Sequence, residues 1–216
     1  MSQTLFPTNL DNFGIILKGK SVEKIKQVYH QYDHAMFVNN FDPEYKQLKK
    51  YYQGKHAVQL VNRLATAVCK KSTYEGTGIK DILFSLPKID KEIQKVVGKY
   101  KKRGMNLHYV PKECMRLAAE FSNPNKYTNT GILAFVYAID IIKAKHIWVS
   151  GLDFYTSDYL HRRSHQSPLH KQQKKMNDRN VIEAFNTHIL KAHPNTMFHI
   201  VTYSDVFPNL DNVEII

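Results

Sequence analysis

Cysteine is scarce in this chain: Cys69 and Cys114 are the only two, they lie far apart, and neither has a CxxC partner. That spacing supports neither a disulfide framework nor a zinc site, and it leaves two thiols whose simplest place is a packed interior. Long apolar runs are missing as well. No window reaches about 18 consecutive apolar residues, so no membrane span is expected. The opening residues, MSQTLFPTNLDNF, carry neither a basic start nor an apolar core, which argues against a signal peptide and for a cytoplasmic or peripheral protein. Glycine-rich dinucleotide signatures are absent too. Gly19 stands alone between two lysines, GxGxxG does not occur, and a NAD enzyme is therefore discounted. With 43% hydrophobic and 23% charged residues and no low-complexity stretch, disorder is not expected.

What the chain does have is length and positive charge. Its 216 residues suit a single domain, 1–216, with enough chain to bury a full sheet-and-helix core. The formal net charge of +12 points to polyanionic partners: nucleic acid, an anionic membrane surface or phosphate-bearing substrates. The lysines are dispersed through helical stretches such as 88-KIDKEIQKVVGKYKKR-103, as on a solvated face, rather than gathered in one arm.

Apolar runs alternate with helical patterns along the whole chain. NFGIIL (12–17) is followed by a Lys-Gly-Lys-Ser turn and by SVEKIKQVYHQY at helical spacing. HAMFVNN (34–40) precedes a Pro-led helix at 42–52, and HAVQLVN (56–62) again closes on asparagine. DILFSL (81–86) and MNLHYV (105–110) are each followed by proline and a helical pattern, 88–102 and 111–121. TNTGILAFVYAIDIIKA has helical length, HIWVSGLDF (146–154) reads as a fully buried strand, and a helix at 178–193 leads to a last strand, MFHIVTY (197–203). Residues 155–177 are polar, basic and histidine-rich and read as a lid loop. The alternation predicts an α/β fold with one doubly wound, mainly parallel sheet, because parallel neighbours require crossover helices on both faces.

Ligands in such sheets bind beyond the carboxyl ends of the strands. The strand exits supply Lys18, Gly19, Lys20 and Ser21; Asn39 and Asn40; Asn62 and Arg63; Ser150, Gly151 and Asp153; and Thr202 and Ser204. Asparagine carries a donor and an acceptor, so it can read a ribose, a cytosine edge or a sugar ring without the desolvation cost of a charge. Asn129, Thr130 and Gly131 open the TNTGILAF helix, where amides and a hydroxyl can meet an anion or simply cap the helix. Gly19 permits close approach of the first turn to a ligand. Asp153, at the end of the most apolar strand, must find donors, from a ribose diol or from a backbone turn. The hydroxyls of Tyr155 and Tyr159 can donate to a phosphate or pack against the lid. In the lid, His161, His165 and His170 are spaced four and five apart around a proline, with no helix to align them, a poor arrangement for a metal. A histidine near neutral pKa is instead the ordinary base for a sugar hydroxyl.

The block 128–155, TNTGILAFVYAIDIIKAKHIWVSGLDFY, resembles the paired segment of bacterial sialyltransferases, in which a Thr/Ser-Gly helix start is followed by a buried strand ending Ser-Gly-Ile-Asp-Phe-Tyr. It is also similar to the small sialyl motif of the animal enzymes. GIILKGKSV, MFVNNF and GKHAVQLVN resemble the first three strands with their glycine turn and asparagines. The first turn differs in carrying Leu17 and Lys18 before Gly19 where the family has Gly-Asn-Gly.

The resemblance implies a Rossmann-like, GT-A-type fold, a CMP-sugar donor as co-substrate, a glycan acceptor, and neither cofactor nor metal. By position it places Asn39, Asn62 and Thr130 on donor sugar or nucleotide, Gly151 and Asp153 on ribose or base, and Tyr155 and Tyr159 on the phosphate. His170 is its base, with His165 in reserve. The activity it implies is inverting transfer of a sialic acid or related keto sugar. Two other function classes fit the residues: a catalytically inactive nucleotide- or sugar-binding relative, and a basic nucleic-acid-binding protein. The first predicts CMP binding without turnover, the second a continuous cationic face.

Overall fold

In the computed structural model, the described residues are 5–61, 68–85, 91–122, 129–154 and 181–216. Apolar runs become eight parallel strands: β1 (Asn12–Ile16), β2 (His34–Val38), β3 (His56–Val61), β4 (Asp81–Phe84), β5 (Asn106–Tyr109), β6 (His146–Ser150), β7 (Met197–Val201) and β8 (Val213–Ile215). They form one sheet in the order β5-β4-β3-β2-β1-β6-β7-β8, and every pairing is parallel. Because both faces of such a sheet are covered, the strands need apolar residues on both sides, which is why they read as continuous runs.

One face packs against a 3-10 helix (Lys20–Gln27), α1 (Asp42–Tyr52), α2 (Lys71–Thr77) and α3 (Lys91–Lys101), through Val22, Ile25, Leu48, Tyr52, Tyr74, Val96 and Tyr100. The other packs against α4 (Lys112–Ser122), α5 (Thr130–Val136) and α6 (181–185), through Cys114, Ala118, Ile132, Leu133, Phe135 and Phe185. The last two helices each run on into a wider π-helical turn, Tyr137–Ile142 and Asn186–Lys191. Among the described side chains, α3 ends on Lys99 and Lys101, whereas α4 sets Lys112 and Arg116 against Glu113 and Glu120.

Of the strands that stop earlier than the apolar pattern predicts, two end on left-handed turns. After β2, Asn39 turns to φ 63, and after β6, Gly151 turns to φ 80, so the extended conformation ends at each. Both turns fall at carboxyl ends, where they lift the chain off the sheet.

Candidate functional site

The strand order reverses between β1 and β6: β2 to β5 are added on one side of β1, and β6 to β8 on the other. At such a switch point the flanking connections leave in opposite directions and open a crevice. The register pairs Ile16 with Ser150, and past these last paired residues the chains stay in touch: Leu17 N donates to Ser150 O at 2.8 Å and Gly19 N to Gly151 O at 2.9 Å. A Cβ on Gly19 would lie 2.5 Å from Asp153 Oδ2, and one on Gly151 would lie 2.7 Å from Leu17 O. The close approach that requires Gly19 is therefore to the neighbouring strand exit.

Asp153 is 2% exposed, and its carboxylate gathers the exits of three strands. The backbone N–H of Ser21 donates to Oδ2 at 2.8 Å, while the Thr202 hydroxyl and the Tyr203 backbone N–H donate to Oδ1 at 3.0 and 3.3 Å. A buried carboxylate with several donors avoids the cost of an unpaired charge. Of the two sources of donors open in the sequence, protein groups supply these three.

Across the crevice, Asn129 caps α5: its Oδ1 accepts from Gly131 N at 2.9 Å and from Ile132 N at 3.2 Å. Gly131 brings this helix start against β1, since a Cβ there would lie 3.0 Å from Leu17 Cδ2. Between the helix start and the strand exits lies a cavity of about 300 Å³. Its wall includes Gly19, Asn39, Asn129, Thr130, Gly131, Gly151 and Asp153, which the sequence spreads over more than a hundred positions.

Ser21 and Ser150 do not line it. Alternation along β6 sends Ser150 to the face shared with Trp148, and Ser21 is buried in the 3-10 helix, so both sit behind the wall. Their hydroxyls have no partner among the described residues. Asn62, Tyr155, Tyr159, His165 and His170 lie outside the described residues, as does the whole of the lid, 155–177.

The wall also holds Lys18, a strand-exit residue and the one cationic side chain of the described lining, and residues that the strand-exit rule did not single out. Phe154 adopts φ 40, a region costly for a bulky residue, and is clamped between Phe185 and Phe207 with ring centroids 5.2 and 5.5 Å away. Val181 and Phe185 close one side from α6. Behind Asn39 sits Gln59, 0% exposed in the middle of β3. The signal for Gln59 was a lone amide in the otherwise apolar run HAVQLV. Beside it, burial raises the Cys69 thiol to about 12, so it is a protonated, inert group.

No protein-family model matches the chain, and no curated protein does. Solved structures do match. The chain is similar to the sialyltransferase CstII from Campylobacter jejuni in complex with cytidine-5'-monophosphate, with 16% identity, a TM-score of 0.59, and 96% of this chain and 86% of that one covered. The fold is that of sialyltransferases. The monofunctional alpha-2,3-sialyltransferase Cst-I from the same organism matches with 18% identity and a TM-score of 0.59, covering 98% of this chain and 84% of that one. CST-II in complex with a trisaccharide acceptor and CMP matches with 16% identity and a TM-score of 0.54, over 88% and 80%. The eight-stranded parallel sheet with helices on both faces agrees with the Rossmann-like expectation. Among the described residues, no helix is long and apolar enough to cross a membrane.

Proposed function

We propose that this protein transfers a sialic acid, or a related keto sugar, from a CMP-linked donor to an acceptor hydroxyl with inversion. The observation that carries the reading is the cavity at the β1–β6 switch point, where Asn39, Asn129, Thr130, Gly131, Gly151 and Asp153 meet in a fold shared with sialyltransferases solved with CMP. A volume of about 300 Å³ falls at the lower end of ordinary small-ligand sites.

In this reading the nucleotide lies along the β6 exit, with ribose and base near Gly151 and Asp153, and the phosphate meets Lys18, Tyr155 and Tyr159. Asn39, Asn62 and Thr130 hold the donor sugar. His170, or His165 in its absence, takes the proton from the acceptor hydroxyl as its oxygen bonds to the anomeric carbon. The bond from that carbon to the phosphate oxygen breaks on the opposite side, and CMP leaves with the electron pair. No metal is invoked. Asp153 is the only carboxylate in the described lining, and both its oxygens already accept from protein donors, so the wall lacks the carboxylate pair that holds a divalent ion on a phosphate.

The test is release of CMP from CMP-Neu5Ac and from CMP-Kdo in the presence of a chelator. His170→Ala is expected to bind CMP while losing turnover. Full activity in that variant would remove the base assignment, and failure of the wild type to bind CMP would remove the reading.

A further inference from the structure

We infer that Gln59 is a positioning residue for the donor site, acting on Asn39 through a buried hydrogen-bond relay; the inference rests on the transferase reading of the same cavity. Gln59 lies in the middle of β3, where a fully buried amide must have each of its groups met. Its Nε2 donates to the backbone carbonyl of Asn39 at 2.8 Å, and its Oε1 accepts from the Tyr74 hydroxyl at 2.6 Å. Tyr74 in turn accepts from Cys69 N at 3.0 Å, and Cys69 Sγ accepts from Phe41 N and from Gln59 Nε2, each at 3.4 Å. The relay grips the β2 exit at two points, Asn39 and Phe41.

What it holds is a left-handed turn at the β2 exit. Asn39 sits at φ 63, an uncommon conformation for a residue with a side chain, and its amide is tied to Leu60 O at 2.7 Å. With N–H and C=O both fixed from β3, the backbone that brings Asn39 into the cavity wall is held in place. Pre-set geometry of this kind lowers the ordering cost of binding. Gln59 itself is not part of the described cavity wall, so its effect on a ligand is indirect, and Asn39 is the residue of that wall to which it is hydrogen-bonded.

Two variants test this with CMP titrated by calorimetry and Tm recorded alongside. Gln59→Met keeps the volume and removes the donor; it is expected to weaken CMP binding about tenfold with the fold retained. Gln59→Glu keeps the acceptor for Tyr74 but, ionised, offers Asn39 no proton. Its CMP affinity relative to wild type at the same pH is expected to recover as pH falls and the carboxyl is protonated, a response that lost packing alone would not give. Should Gln59→Met fail to fold, the Gln59→Glu series decides. A lowered Tm with unchanged CMP affinity, or a Gln59→Glu ratio flat with pH, overturns the inference. A wild type that binds no CMP overturns the transferase reading first.

Discussion

The backbone N–H of Ser21 donates to Asp153 Oδ2 at 2.8 Å, tying the start of the 3-10 helix to the exit of β6. Asp153→Asn is nearly isosteric, yet its amide nitrogen must face one of the donors that the carboxylate now satisfies, so a buried N–H or O–H is orphaned. A loss of roughly 2 kcal/mol is expected, measured as a lowered urea midpoint with unchanged slope.

Gly151 combines φ 80 with a Cβ position 2.7 Å from Leu17 O. Gly151→Ala must therefore strain the backbone and push the β1 and β6 exits apart. A cost of roughly 2–4 kcal/mol is expected, together with loss of CMP binding in a protein whose far-ultraviolet dichroism is unchanged.

Asn129 is predicted to act first as a helix cap. Asn129→Ala leaves Gly131 N and Ile132 N without their acceptor and should lower stability by about 1 kcal/mol, whereas Asn129→Ser should keep most of it. If CMP also needs the carboxamide, calorimetry will show Asn129→Ser weakened in binding while its Tm stays close to wild type.

A pH response is expected from His199. Burial holds it below the ordinary histidine value, although Glu214 lies 2.5 Å from its Nδ1 and pulls the other way. The unfolded chain then takes up a proton nearer pH 6.5 than the native protein does, so the native state loses stability as pH falls through 6.5 and toward the lower native value. His34, lowered by burial and by His56, adds to the same slope. Urea midpoints from about pH 7.5 to about pH 5.5 should fall in the wild type and fall less in His199→Gln.

The sheet was legible because seven apolar runs, each ending in polar or turn residues, alternate with helical spacing. β8 was not: Val213–Ile215 is a short edge strand, and the connection that brings it parallel to β7, residues 202–212, contains no helix to mark a crossover. The segment after β1 shows helical period but winds as a 3-10 helix, its start held to Asp153 by a contact that no local pattern encodes. α2 is short, with Gly76 in its last turn and three serine or threonine residues, Ser72, Thr73 and Thr77, a composition that gives little helical signal. For the site, the carboxyl-end rule found Gly19, Asn39, Gly151 and Asp153, and the TNTG start found Asn129 to Gly131. Ser21 and Ser150, which it also named, do not line the described cavity, because proximity to a strand end does not say to which face a side chain turns. Gln59 and Phe154 escaped it, since one acts from inside the sheet and the other through a backbone angle.

The seam between β1 and β6 joins Asn12 to His146, so β1 finds its second neighbour only once more than a hundred further residues have been made. β2 can zip onto one edge early, but the opposite edge stays bare meanwhile, and long-range pairing of this kind is slow and prone to association. Nascent fragments that stop short of β6 should display an open strand there and lack the pocket wall that Gly151 and Asp153 provide.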